Sequence, residues 1–256
     1  MNALDIIEII NEGAYKIEGE TCDTIKAGDP EKEIKKLGIT MFATVDVVRE
    51  AVKRGVDMLI VHEPTYYDHM DVIRKTPVTD AKKSLIENSG IVIYRYHDRM
   101  HFRDIDQIPE GEIHYMGLKG KLLKTPYSAS YIFECDTPIT ASEISEIMKN
   151  DLGIKHLRVA GELNKKSTRF GACFGTPSGV FDLLCDENIE IVMTGEACEW
   201  ALAEYARDAC ALGFNKTLMV MGHIPSERDG MRLLAKRLAN KLPIDVEYIE
   251  CGEVYH

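Results

Sequence analysis

Three short stretches of this chain set a histidine beside a carboxylate. His62-Glu63 follows the apolar run 59–61. His97-Asp98-Arg99-Met100-His101 follows the run 91–96. His223-Ile224-Pro225-Ser226-Glu227 follows the run 217–221 and Gly222. Each run reads as a β-strand, so each motif falls at a strand's carboxyl end, the edge where open α/β sheets bind ligands. Singly, each has an ordinary explanation. A histidine after a strand is commonly solvated or capping, and Pro225, Ser226 and Glu227 suit the first turn of any helix. Together they point to a metal site. A spacing of four on a helix puts His223 and Glu227 on one face, and His97 and His101 repeat that spacing. The donors are imidazole nitrogens and carboxylate oxygens without thiolate. That set suits zinc, iron, manganese, cobalt or nickel better than magnesium or calcium. Five such ligands exceed what one catalytic zinc takes from protein, whereas two ions sharing a bridging carboxylate would use them all.

The elements that must position these residues alternate. Helical spacing covers 3–16, with Leu4, Ile7, Ile10 and Ala14 on one face. A strand at 39–43, a helix at 45–54 and a strand at 57–61 follow. A helix at 79–88 is expected to be capped by Thr79 and closed by Gly90, and a strand at 91–96 completes βαβαβ, the pattern of a parallel sheet covered by helices. Residues 103–127 read as loop, with Pro109, Gly111, Gly117, Gly120 and Pro126. A second block then has strands at 130–134, 156–160, 170–174 and 189–193, with helices at 140–152, 178–187 and 200–212. Thr140 with Glu143 is a capping box. A strand at 217–221, a helix at 226–241 and a strand at 245–249 end the chain. The fold class is therefore α/β with mainly parallel strands, in two blocks. By pattern the last β-α-β could join either block; bringing His223 and Glu227 to His62 requires it to return to the first. Domain one is thus expected at 1–122 completed by 217–256, with 123–216 inserted.

Composition narrows the partners. The chain has 256 residues, 45% of them hydrophobic, and a net charge of −11. It is long enough to bury a core, and its acidity argues against nucleic-acid and anionic-membrane binding. The start, MNALDIIEII, lacks the basic region of a signal peptide, and no apolar run reaches the roughly 18 residues of a membrane span. The seven cysteines are odd in number and never form CxxC, so they read as reduced, mostly buried thiols of a cytoplasmic protein.

The chain resembles the Nif-three-like (YbgI-type) dinuclear metal proteins, which carry the name GTP cyclohydrolase type 2 homologue. The resemblance rests on the strand-then-histidine patterns at 47–67 and 91–101, on GACFGTPSG at 171–179, on MTGE at 193–196 and, most specifically, on GHIPSE at 222–227. It implies two similar interlinked α/β domains with the metal site in the cleft between them, a ring-shaped homo-hexamer, and a small-molecule substrate, GTP or a related nucleotide. The family has two adjacent histidines where this chain has His62-Glu63, and an aspartate where it has His101. The exchange is compensated: three imidazoles and two carboxylates remain. By resemblance Glu63, His101 and Glu227 would hold one divalent transition-metal ion. His62, His223 and Glu227 would hold the other. Asp98 is the alternative ligand should His101 not serve.

Such a pair of ions supplies a metal-bridged hydroxide at neutral pH and polarises the substrate, which suits hydrolysis of a C–N or phosphoester bond. His97, not needed as a ligand, is expected to carry a proton or to orient a ligand. Glu196 and Glu199 would face the site from the second block. There is no GxxxxGK[ST] phosphate loop, and Arg99, Arg103 and Lys121 read as solvated charges. The alternative to a hydrolase is a non-catalytic metal-binding or regulatory protein in a ring-shaped oligomer.

Overall fold

The computed structural model describes residues 1–127 and 129–255. In chain order its elements are α1 (Ala3–Asn11), β1 (Ile25–Ala27), β2 (Lys36–Thr40), α2 (Val45–Lys53), β3 (Met58–Val61), α3 (Pro77–Ser89), β4 (Val92–Arg95), α4 (Asp98–His101), α5 (Gln107–Tyr115), β5 (Gly120–Lys124), β6 (Tyr131–Thr140), α6 (Ala141–Asn150), β7 (Arg158–Gly161), β8 (Lys166–Cys173), α7 (Val180–Cys185), β9 (Ile191–Thr194), a π-helical turn Glu199–Ala203, α8 (Glu204–Ala211), β10 (Thr217–Val220), α9 (His223–Lys241) and β11 (Asp245–Tyr248). They divide into two units. One comprises Met1–Gln107 with Gly230–Gly252, the other Ile108–Asp229 with the residues from Glu253 onward.

The first unit carries a five-stranded sheet in the order β1-β4-β3-β2-β11. β11, β2, β3 and β4 run parallel, and β1 lies antiparallel on the edge. Every residue of β3 and β4 is buried, including Arg95. Such continuous burial is what a parallel strand covered on both faces requires. Val47, Val48 and Ala51 of α2 and Ile86 of α3 pack with Leu59, Val61 and Ile93 in its core. α3 begins one turn earlier than its pattern suggested. Thr76 is the N-cap, Pro77 opens the helix, and Thr79 is the third helical residue, closing a capping box back onto Thr76.

The second unit carries a six-stranded sheet in the order β5-β6-β8-β9-β10-β7. β8, β9 and β10 are parallel, and β5, β6 and β7 join antiparallel. Leu183 and Leu184 of α7 and Ala206 of α8 pack on Val192 and Leu218. The α6 capping box forms as its sequence predicts, with Thr140 and Glu143 exchanging both hydrogen bonds.

Two stretches depart from the sequence reading. Residues 103–127 are not all loop, for they contain α5 and β5. Pro109 falls in the first turn of α5, where its missing N–H costs nothing, and Ile108, Glu112 and Ile113 are buried. The strand at 217–220 does not return to the first block. β10 pairs with β9 from Thr217↔Ile191 to Val220↔Thr194, as consecutive strands joined by a crossover helix commonly do. Only β11 reaches the first sheet.

Candidate metal centre

In the first unit, β3 and β4 lie side by side with Val61 opposite Arg95. The pairing runs one step further, Tyr96 N–H donating to the Val61 carbonyl at 2.8 Å. The residues just beyond, His62 and His97, are therefore delivered together. Their rings stack with centroids 4.6 Å apart. One turn of α4 brings His101 to 5.0 Å from His97 and 5.2 Å from His62. One nitrogen from each of the three lies within 4.8 Å of the others.

Each ring is oriented by an oxygen. His62 Nδ1 donates to the Tyr96 carbonyl at 3.1 Å, and His101 Nδ1 to Asp106 Oδ2 at 2.8 Å. His97 Nδ1 meets Asp98 Oδ1 at 2.9 Å. His62 is fully buried; burial first, then His97 and His101 beside it, hold its pKa well below the usual value. It is therefore neutral, the form in which an imidazole binds a metal. The Asp98 carboxyl is pulled below the ordinary range by its bond to His97, and Thr21 and the Cys22 thiol add to this.

Two buried residues that no motif announced hold this arrangement. Asp23 accepts the backbone N–H groups of His97, Asp98 and Arg99, each at 2.8 Å, and so anchors the start of α4. Arg95 donates Nε to the His62 carbonyl at 3.0 Å and NH1 to the His69 carbonyl. Its guanidinium also faces Glu63 at 3.8 Å and Asp71 at 3.7 Å. Asp106 is a third, 2% exposed behind His101.

In the second unit, the β9–β10 pairing likewise continues past both strands. Met221 and Gly222 donate to the carbonyls of Thr194 and Gly195 at 2.9 Å. Glu196 and His223 therefore emerge together, His223 Nδ1 to Glu196 Oε1 at 2.7 Å. One turn of α9 on, Glu227 Oε2 lies 3.3 Å from His223 Nε2. Glycine makes room for this carboxylate. A Cβ on Gly175, whose φ is +67°, would come within 2.3 Å of Glu227 Oε1. One on Gly195 would come within 2.4 Å of Ser226 Oγ, the group that accepts the Gly175 N–H at 3.0 Å. The GACFGTPSG and MTGE stretches thus meet at the start of α9.

Other expected participants are placed elsewhere. Glu199 pairs with Arg158 at 2.5 Å instead of joining Glu196. Arg99 and Arg103 are not solvated charges. Arg99 NH1 lies 3.5 Å from Asp23, and Arg103 donates to the Tyr96 hydroxyl at 2.6 Å and to the Ile10 carbonyl at 3.2 Å. Lys121 is exposed. Among the described residues, no helix is long and apolar enough to cross a membrane.

The model of the Duf34/NIF3 (NGG1p interacting factor 3) family matches residues 1–253. A Clostridium perfringens protein named GTP cyclohydrolase 1 type 2 homolog is 26% identical over 265 residues, covering 99% of this chain and 97% of its own. A Methanocaldococcus jannaschii protein of the same name is 34% identical over 103 residues, 39% of this chain and 41% of its own. Among solved structures, protein ybgI superposes with a TM-score of 0.83 at 19% identity over 100% of both chains. Reduced HcgD from Methanocaldococcus jannaschii gives 0.74 at 23% identity, over 98% of this chain and 97% of its own. At those identities the structural likeness speaks for the fold.

Proposed function

The chain belongs to the Duf34/NIF3 family, and on that premise we propose that it is a dinuclear metal-dependent hydrolase of small molecules, nucleotides such as GTP among them. Two divalent transition-metal ions are assigned to five residues. Glu63, His101 and Glu227 hold one; His62, His223 and Glu227 hold the other.

The observation that carries this reading is one arrangement common to the three assigned histidines, and shared by His97 beside them. His62, His101 and His223 each engage an oxygen through Nδ1, at 3.1, 2.8 and 2.7 Å. In the neutral ring this fixes the tautomer and turns the Nε2 lone pair outward, which is how protein-bound metals find their histidines. The separation of His223 Nε2 and Glu227 Oε2, 3.3 Å, also fits two ligands of one ion, since a tetrahedron with arms of about 2.1 Å has edges of about 3.4 Å. The donor set is nitrogen and oxygen, as zinc, iron, manganese, cobalt and nickel accept.

When bound, such a pair acidifies water and polarises the bond to be cut. The chain's own contribution is orientation and proton transfer. His97, with Nδ1 on a carboxylate that stays ionised, is placed to take a proton at its other nitrogen and return it to the leaving group. GTP is the first substrate to test, because curated relatives bear the name GTP cyclohydrolase 1 type 2 homolog. A homo-hexameric ring and a cytoplasmic setting are part of the same proposal.

Metal content per chain, measured by plasma mass spectrometry on untagged protein purified without chelator, tests it. Glu63→Ala is expected to hold about one ion per chain fewer than the native chain, as a shared two-metal site requires. Turnover of GTP or of a phosphoester panel should vanish in both His223→Ala and Glu227→Ala. Turnover that persists in both sinks the mechanism. Tight metal binding without any turnover would favour a non-catalytic metal-binding or regulatory role.

A further inference from the structure

Beside the imidazole cluster, and outside the five residues assigned above, the first unit gathers a thiol, an imidazole and a carboxylate. We infer that Cys22, His69 and Asp98 form a separate metal site, taking one thiophilic divalent ion of the zinc class through sulfur, nitrogen and oxygen. One donor atom from each lies within 4.8 Å of the other two. Cys22 Sγ is 3.4 Å from Asp98 Oδ1 and 3.8 Å from Asp23 Oδ1. A buried cysteine ordinarily behaves as a small hydrophobe. This one is 1% exposed and faces two carboxylates.

The site is built from both sides. Asp98 is fixed by the Thr21 hydroxyl at 2.7 Å and by the Cys22 N–H at 3.2 Å. His69 enters from a turn with several restraints of its own. Asp71 accepts the Tyr66 N–H at 2.9 Å, and Asp68 accepts those of Met70 and Val72 at 3.0 and 3.1 Å. Tyr67 and Asp71 adopt φ of +64° and +58°, a cost that persists only where the surroundings impose it. Arg95 donates to the His69 carbonyl. The His69 ring thereby stands edge-on to His97, centroids 5.4 Å apart.

Three ligands of this mixed kind leave a fourth position for water, a composition zinc accepts readily. The thiolate favours soft and borderline ions more sharply than the imidazole and carboxylate set does. As the sulfur–ion bond forms, the thiol proton leaves to solvent, one proton per ion. Asp98 would then hold the ion while still meeting His97 Nδ1, so occupancy here bears on the residue proposed to carry the proton.

Cobalt(II) titration of the metal-free full chain under reducing conditions tests the inference. The native chain should develop a sulfur-to-cobalt charge-transfer band in the near ultraviolet, with the final intensity of one thiolate–cobalt bond per chain and displaced by zinc. Cys22→Ser should abolish the band. His69→Ala, at an exposed residue where misfolding is no concern, should weaken the affinity read from the band by at least about tenfold. Glu227→Ala should leave the band intact, so failure of the dinuclear reading and failure of this one are distinguishable. No band in the native chain, a band surviving Cys22→Ser, or unchanged affinity in His69→Ala would each overturn it.

Discussion

The two units aim their candidate ligands by opposite means. The first delivers His62 and His97 from neighbouring strand ends and aims them with buried polar groups. Asp23 holds three backbone amides, Arg95 holds the His62 and His69 carbonyls, and Asp106 holds the His101 ring. The second sets His223 and Glu227 on one helical turn, turns His223 with the exposed Glu196 carboxylate and makes room for Glu227 with glycine. Gly175 and Gly195 leave gaps that a methyl group would fill. Buried charge ties a site to the stability of its unit, because removing one partner strands the other. Glycine space does so less, because what it controls is the position of one side chain.

The largest effect expected from this contrast is at Arg95. Its side chain is wholly buried, facing Glu63 and Asp71. Arg95→Met fills similar volume but strands the carboxylates, although Lys26 still meets Asp71 at 2.8 Å. Breaking a buried pair in this way costs about 3–5 kcal/mol. Denaturant unfolding of the metal-free chain measures it. A loss below about 1 kcal/mol would mean that the charge is dispensable and would erase the distinction between the units.

Gly175→Ala should cost less stability and more function. The added methyl collides with the Glu227 carboxylate, and alanine at φ +67° is strained by about 1–3 kcal/mol. The fold should persist while metal content falls, because the carboxylate must leave its place. Full metal content in a folded Gly175→Ala protein would show that Glu227 does not need its present position.

Asp106→Asn is a milder test of the first unit. The amide preserves size but no longer offers a charged acceptor to His101 Nδ1. Loss of such an orienting carboxylate typically lowers metal affinity by about 10–100-fold. Competition with a chelating dye would read that shift, and an unchanged affinity would remove His101 from the ligand set.

The same contrast explains what was legible in the sequence. His62, His97, His101, His223 and Glu227 could be picked out because strand ends and a spacing of four are local properties. The α/β class was legible for the same reason, since buried runs alternate with amphipathic ones. Asp23 and Arg95 were not. Asp23 acts 74–76 residues from its position in the chain, and Arg95 looks like the last residue of an apolar strand. Gly175 lay inside a conspicuous motif, but its reason is a carboxylate 52 residues on, which only the fold supplies. Ligand convergence alone would send β10 to the first sheet. Adjacency to β9, through one crossover helix, decides its pairing instead.

The smallest predicted effect belongs to the device most plainly written in the sequence. The Thr140–Glu143 capping box satisfies two backbone donors at the start of α6 through bonds of 2.8 and 3.1 Å. It lies in the second unit, and neither residue touches His223, Glu227 or the glycines around them. Thr140→Ala should lower stability by about 1 kcal/mol and leave metal content and any turnover as they are. The pairing of that variant with Gly175→Ala is informative because both lie in one unit. If space alone aims Glu227, a cap lost elsewhere in the unit changes only the unfolding midpoint. If Thr140→Ala also depletes metal, the second unit couples its site to global stability as the first does, and the two means of aiming collapse into one.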